Sequence, residues 1–285
     1  MATIARHRSG KRVLEAATSL IAPPAEQDVA IADWLAAERR KSGSIGSVLD
    51  SDDYQLMLVE APDVLPAELK AAVRWRLKDV VDFPLDDAIV DVFPIPDQVR
   101  RTGAKMLYAV AAKRAAVDRH VSLIKPENRR FDVIDIPELA LRNLAAVLPQ
   151  ANDGLVFLWL RRNSAQLLVV KGLRLYLTRF VAFPHGSRAD PDVPGAEIDA
   201  LALEMQRSMD YFESHYEQAP LAHLVIAPWG PYSAALTEEL AAHTSMRVGL
   251  LDLDPVLELP SDVRLNDART LIAIGGALRE EGHAA

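Results

Sequence analysis

Residues 65–96, LPAELKAAVRWRLKDVVDFPLDDAIVDVFPIP, confine a helix between two prolines and then start a strand. Pro66 suits the first helical turn, where a missing N–H costs little. Leu69, Val73, Leu77, Val80 and Val81 recur at three- and four-residue spacing, which makes one helix face apolar. Asp82-Phe83-Pro84 ends the helix, because the residue before a proline is steered out of helical geometry. Trp75 breaks the pattern. At about 100° per residue it lies opposite the apolar face, among Glu68, Ala71, Lys78, Asp79 and Asp82. Either a neighbouring segment covers this Trp, the reading favoured by how often Trp is buried, or it is an exposed anchor for a partner.

Composition removes several classes of function. With 285 residues the chain has room for two domains or one divided domain. It has no cysteine, so disulfides, thiolate zinc ligands and a Cys nucleophile are excluded. No apolar run reaches the roughly 18 residues of a membrane span, and the N-terminus lacks the apolar core of a signal peptide. A cytoplasmic location with no direct membrane span is the expectation. A net charge of −8 speaks against a nucleic-acid partner, which selects a basic footprint. The basic cluster Arg6, His7, Arg8, Lys11, Arg12 reads as a solvated hairpin.

Apolar periodicity and turn residues predict strands over 2–5 and 12–17, turning at Ser9-Gly10, and a helix over 25–41. Short strands are expected over 47–49 and 55–60, paired strands over 88–95 and 105–112, a helix over 115–124, a strand over 130–135 and a helix over 137–147. The Pro, Asn, Asp and Gly of 149–154 mark the best boundary. Beyond it come strands over 155–160, 165–170 and 173–182, the last two meeting at Lys171-Gly172. A helix over 197–218 carries Leu201, Met205, Met209, Phe212 and Tyr216 on one side. Strands over 221–227 and 246–251 and helices over 232–243 and 266–281 complete the chain. Strands followed by covering helices in both halves define an α/β protein with weak internal duplication.

Little of this carries chemistry. The seven histidines show no HxxxH or HExxH spacing, and no GxSxG elbow occurs, so neither a metal site nor a catalytic residue is expected. Asp52-Asp53, Asp86-Asp87 and Asp252/Asp254 read as solvated turn carboxylates. Glu204 and Arg207 read as a structural ion pair, and Gly275-Gly276 as a place of close helix packing.

Four segments carry a resemblance: Arg74-Trp75-Arg76-Leu77-Lys78-Asp79, Asp82-Phe83-Pro84, Asp91-Val92-Phe93 and Glu204-Met205-Gln206-Arg207-Ser208-Met209-Asp210-Tyr211. They resemble the MshI family of MSHA-type pilus biogenesis proteins, relatives of PilM of type IV pilus assembly. The resemblance implies an actin-like ATPase fold, two-lobed with ribonuclease-H-like halves. A first lobe over 1–150 would be N-terminally incomplete, with a preceding strand encoded upstream, and would carry a small inserted subdomain over about 63–130. A second lobe would span 151–285. Such folds grip ATP through Gly-rich hairpins whose N–H groups cradle phosphate. Here Phe157 and Trp159 stand about where the family places Asp and Gly, and Pro228 and Trp229 replace a glycine-rich turn. The nucleotide site is therefore expected to be degenerate, with no cofactor and no enzymatic activity.

The function implied is a cytoplasmic scaffold, peripheral to the inner membrane, in the assembly platform of an MSHA or type IV pilus. Its partner would be an inner-membrane pilus protein, held by a short cytoplasmic peptide, with the pilus assembly ATPase as a second partner. Trp75, Asp79, Asp82, Phe83 and Phe93 are the candidate partner-binding residues. Two alternatives stay open: an ATP-binding PilM-type ATPase, and the cytoplasmic domain of a type II secretion platform protein.

Overall fold

The computed structural model describes residues 1–6, 12–19, 22–37, 44–98, 105–124, 130–161, 164–182, 195–227, 233–260 and 268–279. The turn expected at Ser9-Gly10, the basic cluster around it apart from Arg6 and Arg12, and Pro228 and Trp229 lie outside these residues. Along the chain come β1 (Ala2–Arg6), β2 (Arg12–Ala17), α1 (Gln27–Ala37), β3 (Ser44–Val48), β4 (Tyr54–Glu60), α2 (Leu69–Arg76), β5 (Ala88–Pro94) and β6 (Met106–Lys113). Then follow α3 (Arg114–Ile124), β7 (Arg130–Asp135), α4 (Pro137–Ala146), β8 (Leu155–Arg161), β9 (Ser164–Lys171) and β10 (Arg174–Ala182). The last elements are α5 (Gly195–Tyr216), β11 (His223–Ala227), α6 (Ser233–Ala242), β12 (Arg247–Leu250), β13 (Leu257–Glu258) and α7 (Ala268–Ala277). They form two compact units, Met1–Thr18 with Glu138–Arg279, and Ser19–Pro137.

The first unit is built on a five-stranded sheet in the order β10-β9-β8-β11-β12. The first three strands are an antiparallel meander; β11 and β12 then join parallel to β8, each after a helix. Strand β8 has neighbours on both sides, and its residues 155–160 are all apolar and buried. A central strand covered on both faces requires that composition, because polar side chains there would lose water without a partner. The β9–β10 turn falls on Gly172-Leu173, one residue later than expected, with Gly172 at φ +56°. That left-handed geometry is cheap only for a residue without a Cβ.

Helix α5 lies against β10. Its 3.6-residue periodicity buries Leu201, Met205, Phe212 and Tyr216 on one face, as expected, while Met209 is half-buried. Tyr216 donates its hydroxyl to the carbonyl of Tyr176 at 3.0 Å, and the two rings meet edge-on at 5.3 Å. A buried Tyr thus contributes apolar area and still satisfies its polar end.

A second sheet in this unit has the order β1-β2-β13. The β1–β2 ladder was anticipated; β13, two residues pairing parallel with β2, was not. Helix α7 packs on β1, β2 and β8, and passes α4 at very short range. Asn143 on α4 donates its amide to the carbonyl of Gly275 at 3.1 Å and accepts from Arg142 through its Oδ1 at 2.7 Å. All three groups are buried, so each hydrogen bond replaces lost water.

The second unit contains the parallel pair β3-β7 and the antiparallel sheet β4-β6-β5. The short strands on either side of the turn at Asp50–Asp53 therefore belong to different sheets. The expected pairing of β5 with β6 is present, from Ala88↔Lys113 to Pro94↔Leu107. Helices α1 and α3 touch, and Arg119 donates to the Asp28 carboxylate through Nε at 2.9 Å. That bond holds the Asp28 carboxyl below its ordinary pKa.

The α4–α7 approach generates a stability prediction. A Cβ on Gly275 would sit 2.1 Å from the carbonyl oxygen of Ala140, which is backbone and cannot rotate aside. Gly275→Ala is expected to destabilise the protein by about 1–3 kcal/mol, despite alanine's better helix propensity. Chemical denaturation of the single variant measures this, and a stability equal to or above that of the parent would contradict the packing.

Candidate functional site

Two regions were singled out by the sequence: the strand where a nucleotide cradle is expected, and the subdomain around α2.

In β8, Phe157 pairs with Leu168 and Val225, and Trp159 with Gln166 and Ala227. Trp159 is 7% exposed, and its Nε1 is buried with no hydrogen-bond partner among the described residues. The Arg161 guanidinium lies 5.3 Å from the centroid of the Trp159 ring. Neither a carboxylate nor a glycine occurs in β8. Among the described residues no group of three or more His, Asp or Glu could hold a metal ion. As a cradle for Mg²⁺–ATP these side chains do not fit: phosphate binding needs close backbone approach and a carboxylate for the metal, and an indole fills the strand's exit instead.

The run 204–211 on α5 has a structural task. Glu204 stands between two guanidinium groups, with Arg179 of β10 at 3.8 Å and Arg207 at 3.9 Å. The Arg179 guanidinium also lies over the Tyr211 ring at 5.6 Å. The ion pair expected from Glu204 and Arg207 is present; Arg179, distant in sequence, gave no signal. These partly exposed charges contribute little to stability, as surface pairs do, and act chiefly to fix α5 on β10.

Around α2 the chain builds a rigid platform. Val73 and Leu77 are buried against Leu107, Ala109 and Ala111 of β6, with Met57, Val59, Val90 and Val92 packed beside them. Arg74 donates to the carbonyls of Leu85 and Ala88, the latter at 3.0 Å, which ties the helix to the segment after Pro84. Gln55 of β4 clamps Asp82: its carbonyl accepts from the Asp82 N–H at 3.1 Å, and its amide donates to the carboxylate. Pro66 opens the turn that leads into α2, as expected, but the helix ends at Arg76 and not at Asp82-Phe83-Pro84, because residues 77–80 form a turn.

The five candidate residues do not converge. Trp75 is 75% exposed, which corrects the expectation that a neighbouring segment covers it. Asp79 and Asp82 are exposed in the segment that follows α2. Phe83 turns inward and packs on the α2–β6 core. Phe93 is 6% exposed and stacks on Tyr108 with ring centroids 5.1 Å apart. Val90 and Val92 of β5 face α2, so by strand alternation Phe93 points to the other side of the sheet, away from Trp75. Val80, assigned by spacing to the apolar face, is 56% exposed. After Leu77 the backbone tightens, with the Val80 N–H reaching the carbonyl of Leu77, and the periodicity slips.

The fold these elements compose is the actin-like ATPase fold. The chain is similar to the solved PilM-PilN type IV pilus biogenesis complex, at TM-score 0.66 and 17% identity over 97% of this chain and 94% of that one. It is also similar to a protein of Bacteroides thetaiotaomicron with an actin-like ATPase fold and unknown function, at TM-score 0.50 and 8% identity over 93% and 88%. The cytoplasmic domain of EpsL, an inner membrane component of the type II secretion system of Vibrio cholerae, aligns at TM-score 0.44 and 13% identity over 89% and 81%. No family model matches the sequence, and no curated protein matches it.

The composition of β8 leads to a binding prediction. Isothermal titration of the intact chain with Mg²⁺–ATP is expected to give no measurable saturable heat. A one-to-one isotherm with a micromolar dissociation constant would contradict it.

Proposed function

We propose that this chain is a non-catalytic scaffold of the inner-membrane assembly platform of an MSHA-type or type IV pilus. The observation that carries the reading is the likeness to the PilM-PilN complex, which runs through almost the whole chain. The four sequence segments that resemble the MshI family support the same assignment. In this reading, the subdomain over about 63–130 takes up a partner.

The partner is a membrane pilus protein that presents a short cytoplasmic tail, and the pilus assembly ATPase is a second one. Peptide capture needs no catalytic group: apolar pockets select side chains and exposed backbone adds hydrogen bonds. That suits a chain whose β8 holds Phe157 and Trp159 where a nucleotide-binding relative would need Asp and Gly. No helix among the described residues is long and apolar enough to cross a membrane. In this reading attachment to the inner membrane runs through the partner, from the cytoplasmic side.

Capture from solubilised inner membranes tests the proposal. The immobilised intact chain is expected to retain one inner-membrane protein with a short cytoplasmic N- or C-terminal tail, and a synthetic copy of that tail is expected to release it. Retention of no membrane protein, or ATP turnover by the purified chain, would contradict the scaffold reading.

A further inference from the structure

We infer that the outer face of α2, centred on Trp75, docks a peptide segment that presents one apolar side chain flanked by Lys or Arg. This rests on the scaffold reading and names the chemistry of its partner. An indole 75% exposed on a well-packed helix is unusual, because Trp is highly buried on average and is enriched where partners bind. It is not alone: Val64 and Leu65 at the entry to α2 and Val80 at its exit are also exposed.

The platform beneath is held from three directions. Val73 and Leu77 bury its inner face, Arg74 binds the carbonyls of Leu85 and Ala88, and Gln55 clamps Asp82. A rigid anchor loses little conformational freedom on binding.

Charge selects the occupant. The segment 63–91 has seven acidic and four basic residues. Lys70 pairs with Asp91 at 2.6 Å and Arg76 lies 3.8 Å from Glu60, while Arg74 keeps its charge in its hydrogen bonds to two neutral carbonyls. Glu68, Asp79, Asp86 and Asp87 form no ion pair among the described residues, and neither does Lys78. With seven acidic and four basic residues, the segment that carries Trp75 has a net charge of −3, which attracts a basic segment. The same charge disfavours a second copy of the chain, since a two-fold interface would set identical acidic faces against each other.

Selection of a displayed random peptide library on the intact chain tests this. Enriched peptides are expected to combine an apolar residue with at least two Lys or Arg, and to weaken as salt rises. Trp75→Ala should melt as the parent does and bind a selected synthetic peptide at least about tenfold more weakly. Asp79→Lys, a second exposed change, should weaken the same peptide independently. An empty selection, peptides without basic residues, or equal binding by both variants would overturn the inference. So would a dimer of the parent, seen by sedimentation, that Trp75→Ala abolishes. Membrane capture separates this from the scaffold proposal: if parent and Trp75→Ala retain the same membrane protein equally, the docking face is wrong and the scaffold stands. If the parent retains none, the scaffold reading itself fails.

Discussion

Strand β8 is hydrogen-bonded on both sides and apolar on both faces, and the first unit is assembled around it. It carries the antiparallel meander on one side and the two parallel strands on the other. Burial of its side chains is the largest apolar contribution a single strand can make, at roughly 1.5–3 kcal/mol per large residue. The same residues decide what the strand can do. Phe157 and Trp159 are buried in it, and it holds neither a carboxylate nor a glycine. The chain has the actin-like architecture, and the residues of this strand are core.

The subdomain around α2 shows the opposite choice. Its sheet buries small residues on β6, Ala109 and Ala111, which lets Val73 and Leu77 of the helix approach closely. Trp75, on the same helix, is left 75% exposed. Arginine and glutamine side chains that could have been solvated are used to fix the helix, through Arg74 and Gln55.

Local features were legible in the sequence. The pairing of β5 with β6, the start of α2 after Pro66, the core face of α5 and the apolar run of β8 all follow from periodicity within one or two elements; the end of α2 at Arg76 does not. Non-local partners were not. Gly275 announced a close helix contact, but that the contact is Ala140 of α4 depends on residues far apart in sequence. The same holds for Arg179 beside Glu204 and for the two-residue strand β13. Trp75 was misread because the average burial of its residue type outweighed its position on the polar face of the helix. Val80 was misread because helical spacing was carried past Leu77, where the backbone tightens. Phe93 shares a segment with Trp75 yet lies on the other side of its sheet, a separation that strand alternation settles only once the pairing is known.

Amide hydrogen exchange on the intact chain tests the central claim, that this fold binds a protein partner and not a nucleotide. Exchange would be followed for the chain alone, with Mg²⁺–ATP, and with the membrane protein it retains. The account predicts slowed exchange over residues 65–83 with the membrane protein and no change over 155–171 with Mg²⁺–ATP. Slowed exchange over 155–171 with Mg²⁺–ATP, together with none over 65–83 with the membrane protein, would contradict it.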